Sequence, residues 1–89
     1  MTSIITTQIG SDYNGRVKWS GIVKGSDNCF YCLPYYSEQL LKINSFNDET
    51  SLVGENYIGC DKWYNGFAHG DCIYGIPFCA NQFLKYNVK

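Results

Sequence analysis

Five cysteines, one histidine and two lysine–tryptophan pairs are the residues of this 89-residue chain whose types and spacing invite chemistry. Cys29-Phe30-Tyr31-Cys32 has the spacing of a redox dithiol or of half a metal site. Its surroundings are β-forming, however, and in a strand residues three apart point to opposite faces. Two thiols so placed do not readily close a disulfide or share a metal, and they read as small buried hydrophobes. Cys60, His69 and Cys72 stand with eight and then two residues between them. That spacing matches no common zinc pattern and a fourth ligand is not evident, so no metal and no cofactor is expected. His69 and Asp71 share a turn and make a poor acid–base pair. No Ser-His-Asp order, nucleotide-binding glycine loop or catalytic carboxylate pair accompanies them, and the chain is not expected to be an enzyme.

Lys18-Trp19 and Lys62-Trp63 are a different case, because the pair recurs and a tyrosine precedes each copy, Tyr13 and Tyr57. An aromatic platform with a cation beside it stacks on the apolar side of sugars and on Arg or Pro side chains. Tyr13, Lys18, Trp19, Tyr57, Lys62 and Trp63 are therefore the candidate ligand-binding residues. The competing structural reading, and the one favoured, makes each tryptophan an apolar wedge between packed repeats.

The recurrence is part of a longer one. With Lys18-Trp19 set over Lys62-Trp63, Gly10, Tyr13 and Gly15 fall on Gly54, Tyr57 and Gly59 without a gap. Downstream, with one residue missing from a turn of the second copy, Cys29, Tyr31, Pro34, Gln39, Leu41, Lys42 and Asn44 meet Cys72, Tyr74, Pro77, Gln82, Leu84, Lys85 and Asn87. The chain is one module of residues 1–89 made of two repeats, about 1–45 and 46–89.

Each repeat must be built of short strands. Trp19 to Lys24 precedes the turn Gly25-Ser26-Asp27-Asn28. Cys29 to Tyr36 is apolar on both faces, with Cys29, Tyr31, Leu33 and Tyr35 one way and Phe30, Cys32 and Pro34 the other. Gln39 to Asn44 alternates, Asn47-Asp48-Glu49 turns, and Thr50 to Val53 suits an outer edge. The second copy repeats the order at Trp63–Ala68, Cys72–Phe78 and Gln82–Val88. Repeats of about 44 residues with four strands are the signature of β-propeller blades. The expected fold is thus all-β, with two four-stranded antiparallel blades. Ile4 to Ile9 matches Thr50 to Val53 and is expected to be an outer strand whose blade is supplied by another copy. A homo-oligomeric ring follows, with a trimer of six blades preferred and a tetramer of eight blades second.

At KWSGIV…NCFYCLPYYSEQLLKIN and KWYNGF…DCIYGIPFCANQFLKYN the chain resembles a propeller repeat family of the pattern K-W-S-G-G-V…G-x-I-Y-G-I-P…V-L-x-I-D. That family is kin in architecture to Kelch-type and WD-type propellers. Ile22 and Asn65 depart from it where it favours Gly. The resemblance implies a fold and no activity.

Composition narrows the partners. Seven Lys and Arg against eight Asp and Glu leave neither a basic surface for nucleic acid nor an acidic tail. The N-terminal MTSIITTQIG has no basic n-region, and no apolar run nears a membrane span. An odd cysteine count without a signal points to reduced thiols and a cytoplasmic location. The function expected is a non-catalytic binding or scaffold module, acting on itself and on a protein or glycan ligand. The alternatives are a carbohydrate-binding lectin assembled from two-blade subunits and a fragment of a longer multi-repeat propeller.

Overall fold

A computed structural model describes residues 5–15 and 18–89. It contains seven strands: β1 Trp19–Lys24, β2 Phe30–Pro34, β3 Leu40–Ile43, β4 Thr50–Val53, β5 Trp63–His69, β6 Cys72–Pro77 and β7 Leu84–Asn87. There is no helix among the described residues. The strands form two antiparallel meanders, a four-stranded sheet in the order β1-β2-β3-β4 and a three-stranded sheet in the order β5-β6-β7. Short polar connections leave each strand no partner nearer than its sequence neighbour.

The all-β expectation holds, and β1 and β4 have the limits read from the sequence. β2 stops at Pro34 rather than Tyr36 because the amides of Tyr35 and Ser37 turn to the Lys18 carbonyl, at 3.1 and 3.0 Å. The amides of Phe78 and Ala80 do the same with the Lys62 carbonyl after β6, at 2.9 and 3.1 Å. Residues 5–9, expected as an outer strand for the blade of another copy, belong to no strand in the single chain and are exposed, while Ile4 lies outside the described residues. A strand needs a hydrogen-bonding neighbour, and this segment meets none along its length in the single chain. Consequently the second sheet has three strands, not four. Sheet and repeat boundaries are also offset, since β4 opens the second repeat yet pairs with β3, Leu40 opposite Val53 and Ile43 opposite Thr50.

Turn chemistry follows the sequence. The Asn28 amide donates to Gly25 O at 3.0 Å, and Asn28 takes a left-handed φ of 65°. Between β3 and β4, the Asp48 amide reaches Asn44 O at 2.8 Å and Asp48 has φ 63°. Asn and Asp tolerate this region better than other side chains. The same property accounts for the departure at Asn65. It stands at the repeat position of Gly21, and the two have φ of 60° and 71°. Both sit at the bulge that breaks the β1–β2 and β5–β6 registers.

The core lies between the sheets. Tyr31, Leu33 and Leu40 from the first sheet are buried in one cluster with Trp63, Ile73 and Leu84 from the second. Tyr31 and Tyr86 approach across the seam with ring centres 5.6 Å apart. A Cβ on Gly75 would lie 3.1 Å from Leu33 Cδ1, so the sheets approach closely where Gly75 replaces the first repeat's Cys32. β1 and β5 are neighbours as well: Ser20 Oγ donates to Trp63 O at 2.8 Å and accepts from the Asn65 amide at 3.2 Å.

Candidate functional site

The two lysine–tryptophan pairs form two copies of one local structure. Each tryptophan's indole N–H donates to the carbonyl of its repeat's glutamine, Trp19 to Gln39 and Trp63 to Gln82, both at 2.8 Å. Each packs edge-on against its tyrosine, Tyr13 with Trp19 at 5.2 Å and Tyr57 with Trp63 at 4.9 Å between ring centres. Each lysine ammonium folds back onto a glycine carbonyl three residues earlier, Lys18 to Gly15 at 3.2 Å and Lys62 to Gly59 at 2.6 Å.

Beyond this the copies diverge. Lys62 is buried, and its ammonium also donates to Tyr35 O at 3.1 Å and Tyr36 O at 3.4 Å, both in the first repeat. Burial pulls its pKa below the ordinary lysine value, against the upward effect of Glu38 and Cys60. Lys62 is thus a latch between repeats and not a free cation. Trp63 is buried in the core, whereas Trp19 is half-buried. Of the six candidates, the structure brings Tyr13, Lys18 and Trp19 together at one place and Tyr57, Lys62 and Trp63 at another.

Each triad borders a shallow cleft. The first, of about 210 Å³, is framed by Tyr13, Lys18, Trp19, Tyr36 and Leu52. The second, of about 390 Å³, is framed by Tyr57, Ile58, Lys62, Trp63 and Cys79. Tyr36, at the first cleft, also belongs to an aromatic group that sequence reasoning did not single out. Tyr35 packs against Tyr36, Tyr64 and Phe78 with ring centres 5.7, 6.2 and 6.1 Å away, and Tyr64 and Phe78 are 6.1 Å apart. Tyr36, Tyr64 and Phe78 are exposed. Burial, then the Asp61 carboxylate, raises the pKa of the Tyr35 hydroxyl. The available signal was that Tyr35 and Phe78 are repeat partners, both aromatic just after the conserved-in-repeat prolines Pro34 and Pro77.

Protein-family models, curated proteins and solved structures offer no match to this chain. The site must therefore be judged on its own geometry.

The remaining candidates do not converge. Cys29, Cys32, Cys60, Cys72 and Cys79 are all free thiols. Among the described residues, no three His, Cys, Asp or Glu side chains gather as a metal site, so Cys60, His69 and Cys72 do not form one. Asp71 does not pair with His69 but accepts from Ser26 Oγ at 2.7 Å and lies 3.9 Å from Lys89 Nζ. Asp27 holds a second polar cluster: it accepts from the Tyr31 hydroxyl at 2.5 Å and the Cys29 amide at 3.1 Å, with Lys42 Nζ at 3.8 Å. Burial works to raise its pKa, but these three partners outweigh it and hold the carboxyl below its ordinary value. No helix among the described residues is long and apolar enough to cross a membrane.

Proposed function

We propose that this protein is a non-catalytic binding or scaffold module of β-propeller type. The observation that carries the reading is the aromatic group in which exposed Tyr36, Tyr64 and Phe78 surround half-buried Tyr35, contributed by both repeats at one end of the sheets. Exposed aromatics in contact across structural units leave a large apolar area in water, which a ligand can cover at little ordering cost because each ring has only two torsions. Two features support the absence of catalysis: the histidine, at the end of β5 and not in the turn expected for it, is exposed, and the thiols are free. The propeller part of the reading is supported by the two meanders and by the contact of β5 with β1.

The second reading is a carbohydrate-binding lectin, favoured by the same rings, since pyranose faces stack on Tyr and Phe. A glycan array separates the two readings, and the double variant Tyr64→Ala/Phe78→Ala tests the surface itself. Because both side chains are exposed, their removal is expected to leave the thermal midpoint within a few degrees while binding to any array-positive glycan or pulled-down peptide falls at least tenfold. Binding that survives the double variant would put the recognition surface elsewhere.

A further inference from the structure

The internal repeat allows each exposed face to be compared with its own covered copy. In the first sheet, Val23, Leu33 and Leu40 are 8%, 0% and 0% exposed, packed in one cluster with residues of the second sheet. Their repeat partners are Phe67, Ile76 and Phe83, which are 47%, 43% and 60% exposed. These side chains lie on the face of the second sheet turned away from the core, where the Phe67 and Tyr74 rings stack at 5.0 Å. The far side of the first sheet is partly open as well. The row Ile22, Cys32, Leu41 and Leu52, aligned across β1 to β4, keeps Ile22 and Leu52 exposed and Cys32 half-buried, although Leu41 is buried like its repeat partner Leu84.

The sheet edges show the same complementarity. β3 is covered by β4 in the register Leu40–Val53, Leu41–Leu52, Lys42–Ser51 and Ile43–Thr50. The repeat partners of these pairs are Phe83–Ile9, Leu84–Gln8, Lys85–Thr7 and Tyr86–Thr6. Among the described residues β7 ends its sheet uncovered, and residues 5–9 are exposed and in no strand. The latch repeats the pattern. Lys62 reaches Tyr35 O and Tyr36 O of the preceding repeat, whereas Lys18, among the described residues, reaches Gly15 O. The repeat partners of Tyr35 and Tyr36 are Phe78 and Cys79.

We infer that a second copy of this chain docks head to tail on the first. Its Ile22–Leu52 face stacks on Phe67, Ile76 and Phe83, its Thr6–Ile9 segment adds to β7 as the fourth strand, and its Lys18 reaches the carbonyls of Phe78 and Cys79. The occupant is a second copy because the chain carries both halves of this contact and already makes it once between its own repeats. Edge strands and apolar faces of this kind are costly to leave open, and strand addition supplies main-chain hydrogen bonds together with side-chain pockets. The contact is heterologous, so it must close into a ring or run on. Closure at three copies rests on the propeller reading, while the interface rests on the repeat alone.

Light scattering coupled to size exclusion tests it on the 89-residue chain. A discrete species of about three times the 10.1 kDa chain mass is expected. Two variants of exposed residues leave the single-chain fold intact: Ile76→Lys/Phe83→Glu on the face, and Thr6→Pro/Thr7→Pro in the segment, where consecutive prolines delete whichever amide would face β7. Each is expected to cut the mass threefold, to a folded monomer with unchanged circular dichroism per residue. A folded wild-type monomer at micromolar concentration would overturn the inference, and so would an oligomer that neither variant dissociates. Open-ended growth that both variants abolish would uphold the interface and count against the closed-propeller reading.

Discussion

The clearest lesson at the scale of single residues is that equivalent side chains do unequal work. Trp19 and Trp63 share an indole hydrogen bond and an edge-on tyrosine, yet only Trp63 is buried in the core. Trp63→Ala is therefore expected to cost about 3–5 kcal/mol as a core truncation, and Trp19→Ala clearly less. Urea denaturation of both variants checks this, and near-wild-type stability of Trp63→Ala would return the pair to the role of ligand platforms. Asp27 gives a pH-dependent counterpart. Its folded pKa lies below the model-compound value of 3.8, so the ionised form is the one the fold stabilises. That contribution is present at pH above about 4 and is lost as pH falls through the folded pKa. Asp27→Asn should thus lower stability by about 1–2 kcal/mol at pH 7, through the lost charge-assisted bonds to Tyr31 and Lys42. The gap between wild type and variant should shrink in denaturation measured below pH 3.8; a gap constant across the acid range would exclude the mechanism.

At the scale of strands, the bulge in β1 and in β5 is the element most constrained by backbone. A Cβ on Gly66 would fall 2.0 Å from Tyr74 O, inside the β5–β6 ladder, where nothing flexible can yield. Gly70, in the following turn, has open space around its Cβ position and a φ of 58°. Gly70→Ala is expected to cost about 1–2 kcal/mol through the left-handed backbone alone. Gly66→Ala should cost more, because the strands must part, and should also weaken the far-UV β signal. Equal thermal midpoints for the two variants would show that the bulge can open freely. The strands themselves were legible because alternation and turn residues are local properties. β1 and β4 match their sequence limits, β2 begins one residue later than expected, and β2 and β6 end early because amides after Pro34 and Pro77 turn to the Lys18 and Lys62 carbonyls. The Ile4–Ile9 segment has the composition of a strand but is not one within the described residues 5–9, since its pairing depends on a partner edge and not on its own residues.

At the scale of the whole molecule, the radius of gyration of 13.7 Å exceeds the roughly 12 Å of a compact chain of this length. Two sheets joined by one seam account for it: each has a face and an edge that the single chain does not use. Sequence by itself determined the all-β class, the repeat, the turn positions and the recurring Tyr–Lys–Trp triads, because each depends on spacing within one copy. It also disfavoured pairing of the CxxC thiols, and Cys29, just before β2, and Cys32 within it are free. Only the tertiary structure decided which copy of each residue is buried. Leu40 and Phe83, Lys62 and Lys18, and Trp63 and Trp19 stand at matching positions, yet the first of each pair is buried and the second is half-buried or exposed. The aromatic group at Tyr35, Tyr64 and Phe78 was hidden for the same reason: its members come from both repeats and meet only once the sheets are packed. Burial is a property of position in the stack, and a repeat, being identical in its instructions, does not encode its own place in it.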